Sequence, residues 1–86
     1  MPRYVFSVNE EGVSNFFIGV TAKSKTLALA KLKHSLHVKK QERGHKISRG
    51  GMAFLSKFRE GGENYETTYH IYQARNMSNE FTEDEL

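Results

Sequence analysis

Four histidines and a few scattered acids are the residues of this chain that could support metal or acid–base chemistry, and their spacing matches no known site. His34 and His37 stand at positions i and i+3, with His45 a little further on, so a three-histidine zinc site can be drawn. Lysines crowd the same segment, however, and their charge opposes a divalent cation. The sequence therefore predicts no metal site.

Nucleophilic catalysis needs a nucleophile within hydrogen-bond reach of a base that a third group orients, and no such motif is present. The chain has no cysteine, so thiolate chemistry and disulfides are excluded. Gly44 and residues 49–51 lack the spacing of a phosphate-binding loop. A nuclease-like pair formed by His70 and Arg75 is the one catalytic arrangement left open. We predict a protein that is not an enzyme and that binds no cofactor.

The basic residues of the chain are concentrated in one window. Eleven of the thirteen lie between Lys23 and Arg59, where Glu42 is the only acid, so this window has a formal charge of +10. Residues 76–86 instead carry four acids and no base, and the chain as a whole is only +3. Such a basic window favours a polyanion or an acidic protein surface as the partner.

The first functional hypothesis is a non-enzymatic binding module that holds the phosphate backbone of DNA or RNA, largely without regard to sequence. Its candidate contacts follow one another from the exposed side of a predicted helix, through a loop, to the next strand: Lys31, Lys33, Lys39, Lys40, Arg43, Lys46, Arg49 and Lys57. Tyr65 and Tyr72 are candidates to stack on unpaired bases.

The alternative hypothesis is a small phage-type inhibitor or adaptor that docks on a host protein or nucleoprotein complex and acts by steric occlusion. The same basic face would then contact an acidic protein surface. A homodimer is also left open, because an exposed edge strand over 52–59 can pair with a second copy, although Lys57 and Arg59 disfavour this. The sequence does not decide among these partners.

The hydrophobic pattern predicts two β-hairpins separated by a helix. Alternating apolar and polar residues, bounded by turn-forming residues, predict strands over 4–8, 15–21, 52–59 and 65–75. A helical period predicts a helix over 25–38 with Ser24 or Thr21 as its N-cap. Residues 39–51, polar and rich in glycine, indicate a long loop. The predicted fold is α+β, a single small domain with one helix packed on an antiparallel four-stranded sheet (ββαββ).

The predicted domain covers residues 1–75, and residues 76–86 are predicted to form an acidic, mobile tail. The tail could compete with a polyanion for the basic window or could serve only solubility. The predicted core consists of Phe6, Val8, Phe16, Ile18, Val20, Leu29, Leu32, Leu36, Phe54, Tyr69 and Ile71, although either face of the last two strands could be the buried one. Without a membrane-length apolar run or a signal peptide, the chain is expected to be cytoplasmic and not membrane-bound.

Overall fold

The computed structural model describes residues 1–74 and 82–85, and it shows one helix on one face of a sheet. The elements are β1 (Arg3–Glu10), β2 (Ser14–Thr21), α1 (Lys25–Ser35), β3 (His45–Lys46), β4 (Met52–Glu60), β5 (Glu63–Gln73) and β6 (Thr82–Glu85). In the described part of the chain the strand order is β3-β4-β5-β1-β2-β6. The first five of these strands are antiparallel, and β6 runs parallel to β2.

The predicted α+β class is confirmed, but the predicted count of four strands must be corrected to five antiparallel strands and a sixth, parallel one. The additional strands are β3, within the predicted loop 39–51, and β6, within the predicted tail. Both pair with strands whose backbone groups would otherwise be open at the sheet edge. β3 has only two residues, and neither β3 nor β6 contains the hydrophobic alternation from which the other strands were predicted. The tail was predicted to be mobile over 76–86, and most of it, 76–81 and 86, lies outside the described residues.

The turn between β4 and β5 determines which side chains face each other across these two strands. Gly61 and Gly62 have φ values of 57° and 82°, so they form a two-residue turn of the kind that suits the twist of a hairpin. Because this turn fixes the register, Phe58 lies directly opposite Tyr65.

The helix α1 begins at a serine cap and ends earlier than predicted. The Ser24 hydroxyl accepts a hydrogen bond from the backbone N–H of Leu27 at 3.2 Å, so Ser24, and not Thr21, is the N-cap. The helix ends at Ser35, three residues before the predicted end. Within the described residues, no helix combines the length and apolar composition needed to cross a bilayer.

The core lies between α1 and one face of the sheet. The predicted core residues that are buried are Phe6, Val8, Ile18, Val20, Leu32, Leu36, Phe54, Tyr69 and Ile71. Phe16 and Leu29 are partly buried against them, and Ala22, Ala28 and Val38 complete the cluster. In β5, the face that carries Tyr69 and Ile71 is therefore the buried one. Burial, with a smaller contribution from the Glu10 charge, raises the pKa of Tyr69 above its ordinary value.

Candidate nucleic-acid interface

Most of the predicted basic contacts lie in β4 or in the chain that leads to it from α1. Six of them are exposed side chains in this region: Lys39, Lys40, Arg43, Lys46, Arg49 and Lys57. We call residues 37–60 the basic edge, because this segment forms one lateral edge of the sheet. These six predicted residues thus all belong to the segment that forms one lateral edge of the sheet.

The chain between α1 and β4 is held along the outer side of β4. Val38 forms an antiparallel bridge with Ser56, and β3 pairs with Met52 and Ala53. The fully buried Ser56 also donates a hydrogen bond from its hydroxyl to the backbone carbonyl of Leu36, at 2.5 Å. The predicted loop is therefore fixed to the sheet at several points, and its cations are positioned by those contacts.

Two glycines let this segment approach aromatic rings closely. A Cβ at Gly44 would come within 2.6 Å of the Phe54 ring, and a Cβ at Gly51 would overlap the ring of Tyr72. A side chain at either position would force the neighbouring aromatic ring to move, so both positions favour glycine. The aromatic rings thereby fix the path of the backbone at both ends of the segment 44–51.

Lys33 and Lys31 leave α1 in different directions. The Lys33 ammonium group lies 4.4 Å from the centroid of the Phe54 ring, a cation–π contact that directs Lys33 towards β4. The Lys31 ammonium group instead donates a hydrogen bond to the carbonyl of Thr21, at the end of β2, at 2.8 Å. Lys33 therefore borders the basic edge, whereas the structure separates Lys31 from the other predicted contacts.

The two tyrosines predicted to stack on bases lie on opposite faces of the sheet. Tyr65 is on the face that α1 covers, near the start of β5, and is 43% exposed. Tyr72 is on the other face, half-buried, with its ring across Gly51. The two rings therefore do not form one stacking platform.

A row of three aromatic rings at the basic edge includes two residues, His37 and Phe58, that were not predicted to contact a nucleic acid. The rings of His37 and Phe58 stack with centroids 4.9 Å apart and an interplanar angle of 25°. Phe58 stacks on Tyr65 at 5.3 Å and 18°. We call these three residues the ring row. The Phe58–Tyr65 contact follows from the two-residue glycine turn and could have been read from the sequence, whereas the position of His37 could not.

His37 occupies a backbone conformation that favours glycine. Its φ is 60°, in the left-handed region, where a non-glycine residue costs about 1–2 kcal/mol. The N–H of His37 donates to the carbonyl of His34 at 3.1 Å, and the N–H of Val38 donates to that of Lys33 at 2.9 Å. These bonds form a Schellman motif, whose left-handed position is usually glycine. The imidazole is thus held beside β4 at the expense of backbone strain.

A shallow pocket of about 500 Å³ lies beside the ring row. Its lining residues are Lys39, Lys57, Phe58, Arg59, Asn64, Tyr65 and Glu66. The ammonium group of Lys57 lies 3.8 Å from the Glu66 carboxylate, and both side chains are largely exposed, so this ion pair contributes little to stability. The lining has three cations and one acid. The pocket therefore combines aromatic surface with excess positive charge.

Of the metal and catalytic alternatives, only the metal site can be compared with the described residues. Within 1–74 and 82–85, no three histidine or acidic side chains come together as they would around a metal ion. His70 is half-buried in β5, opposite Asn9 and Ala53. Its suggested catalytic partner, Arg75, lies outside the described residues.

These features define a small α+β domain in which a single helix covers one face of a mainly antiparallel sheet and positive charge follows one edge. No family model matches the chain, and comparisons with curated proteins and with solved structures find no match. The residues of the basic edge are therefore the features of this chain that bear on its function.

Proposed function

We propose that this protein is a non-enzymatic binding module that holds the phosphate backbone of a nucleic acid along its basic edge, largely without regard to base sequence. The observation that carries the proposal is the alignment of six exposed cations along β4 and the chain fixed to it. Lys33, directed to the same side by its contact with Phe54, adds a seventh.

The chemistry of these side chains favours phosphate contacts over base readout. Four of the six aligned residues are lysines, which act as mobile point charges on long stems, whereas specific base contacts mostly use bidentate arginine, asparagine or glutamine. Cations of this kind position a nucleic acid through its phosphates and carry no sequence information. Binding should therefore depend strongly on salt and weakly on sequence.

The positions of the acids in the sequence also favour the approach of a polyanion to the basic edge. The strand β6, whose sequence includes Glu83, Asp84 and Glu85, pairs with β2 at the lateral edge opposite the basic edge. A polyanion is thus attracted to one edge of the sheet and repelled from the other.

The proposal is tested by measuring fluorescence anisotropy of labelled single- and double-stranded DNA and RNA of unrelated sequences, titrated with the protein at several salt concentrations. If about five phosphates are neutralised, the slope of log affinity against log salt is about −4.5 for a duplex and about −3.5 for a single strand. The corresponding loss of affinity between 50 and 200 mM salt is about 500-fold or about 130-fold. We expect this slope for every sequence of a given strandedness.

The control is a variant with reversed charge at the basic edge, K39E/K40E/R43E, which should bind weakly and show a smaller salt slope. Absence of binding to every nucleic acid at 50 mM salt would contradict the proposal. That result would favour the inhibitor or adaptor hypothesis, in which the basic edge docks on an acidic protein surface.

A further inference from the structure

The ring row is aromatic surface that the core does not use. Phe54 and Tyr69, on the same face of the sheet, are 4% and 8% exposed and pack under α1. Phe58 is only half-buried, and His37 and Tyr65 are exposed. Three stacked rings at the surface of so small a domain leave aromatic faces available for contact with another planar group.

The rings are held in place before any ligand arrives. Phe58 and Tyr65 are a cross-strand pair in a register that the glycine turn fixes. The Tyr65 hydroxyl donates a hydrogen bond to the Glu63 carboxylate at 3.2 Å, which restrains the orientation of its ring. His37 completes the row from a strained backbone position. Strain that persists in a folded protein often marks a position retained for function.

Charged and polar groups suited to a nucleotide surround these rings. Lys39 and Arg59 line the pocket beside Phe58 and Tyr65, and Asn64 offers both a hydrogen-bond donor and an acceptor. The acids nearby have partners within the site, since Glu66 faces Lys57 and Glu63 accepts from the Tyr65 hydroxyl. A planar base on the rings would therefore place its phosphates within the field of two cations.

We propose that the ring row is a stacking subsite for an unpaired nucleobase, so that the nucleic acid held at the basic edge is single-stranded. This inference rests on the proposed function and specifies its ligand. In a duplex each base face is already covered by its neighbours, whereas an unpaired base can stack on an aromatic side chain. Stacking is tolerant of base identity, so it is compatible with binding that ignores sequence.

A tryptophan reporter tests the contact directly, because the chain contains no natural tryptophan. In a Tyr65→Trp variant, oligothymidine should quench the indole emission to saturation. A strand of equal length and charge that consists of abasic sites should leave the emission nearly unchanged. The matched control is Tyr72→Trp, on the opposite face of the sheet, whose emission should respond equally to the two strands. Equal responses of the Tyr65→Trp variant to both strands would overturn the proposal.

Affinities provide the second measurement. The Tyr65→Ala variant should bind oligothymidine about five-fold or more weakly than the natural protein, since stacking on one aromatic ring contributes at least this much. Its affinity for the abasic strand should be unchanged, and Tyr65→Phe, which keeps the ring, should bind like the natural protein. Circular dichroism and thermal melting establish that each variant is folded. A loss for both strands in the folded Tyr65→Ala variant would show that the ring has only a structural role.

The two proposals fail in different ways. If the natural protein binds oligothymidine, the abasic strand and a duplex equally, with a steep salt slope, the stacking subsite is wrong and the proposed function stands. If it binds none of them at 50 mM salt, both are wrong.

Discussion

The two lateral edges of the sheet are built from similar elements but carry opposite charge. At one edge the chain between α1 and β4, with its short strand β3, pairs with β4 and presents lysines and arginines. At the other edge β6 pairs with β2, and three of its four residues are acids. Both additions protect an open strand edge. The comparison shows that the same structural solution has been given different surface chemistry at each edge.

Side-chain contacts and close packing also fix the position of the basic edge. The buried Ser56 hydroxyl and the cation–π contact between Lys33 and Phe54 link the basic edge to α1, and two glycines bring its backbone close to the rings of Phe54 and Tyr72. Within the described residues, both non-glycine residues with positive φ, His37 and Arg49, lie at this edge. Fixed and locally strained backbone is typical of segments that present side chains to a ligand. The basic edge is thus formed by fixed and locally strained backbone as well as by positive charge.

The largest expected effect on affinity is that of reversing charge at the basic edge. It is compared with an equal reversal of charge elsewhere on the molecule. The pair K39E/K40E should lower affinity for single-stranded DNA on the order of 50-fold at about 0.1 M salt, because two phosphate contacts are lost. The matched pair K23E/K25E makes the same change in net charge with exposed lysines next to the start of α1. This control pair should lower the affinity for single-stranded DNA by less than about five-fold.

Anisotropy titrations of these two variants, run side by side, measure that difference. Equal losses in the two variants would mean that net charge alone governs binding and that the basic edge is not a site.

The next effect concerns the attachment of the basic edge. Replacing Ser56 by alanine removes the hydroxyl that donates to the Leu36 carbonyl and leaves that buried acceptor without its partner, at a cost of about 1–3 kcal/mol. The melting temperature should fall by about 4–8 °C for each kcal/mol lost. The control is the exposed Ser35, the last residue of α1. Its change to alanine should alter the free energy of unfolding by less than about 0.5 kcal/mol. Equal melting temperatures for the two variants would contradict this account of Ser56.

A smaller effect separates backbone strain from ring stacking at His37. Both His37→Gly and His37→Ala remove the imidazole from Phe58, but only glycine adopts a φ of 60° without strain. Urea unfolding should therefore show the glycine variant to be more stable than the alanine variant by about 1 kcal/mol. If alanine is the more stable, the left-handed conformation of this residue in solution is called into question.

The smallest effect is expected from the acidic edge. Truncation after residue 81 removes three acids, yet β6 and β3 are separated by five strand spacings, about 24 Å, several times the Debye length of about 8 Å at physiological salt. Affinity for single-stranded DNA at this salt should therefore change by less than about two-fold. Binding that tightens several-fold on truncation would indicate that the tail reaches the basic edge and competes with the ligand.

The sequence was sufficient for the parts of the fold that side chains determine. Alternation in β5 placed Tyr65 and Tyr72 on opposite faces, and the concentration of lysines near Lys39 and Lys40 indicated the charged surface. The sequence did not indicate β3 or β6, because β3 has only two residues and neither strand contains an alternation of apolar and polar residues. It also gave no sign that the helix would end at a left-handed His37, because histidine has no strong preference for that conformation.

The measurement that most directly tests the central claim is a titration of the ¹⁵N-labelled protein with oligothymidine, followed by amide chemical shifts in NMR spectra. We expect the largest shifts at the basic edge and at Tyr65, with resonances of β2 and the start of α1 nearly unchanged. Shifts spread evenly over the molecule, or concentrated at β2, would contradict the claim that the basic edge is the binding site.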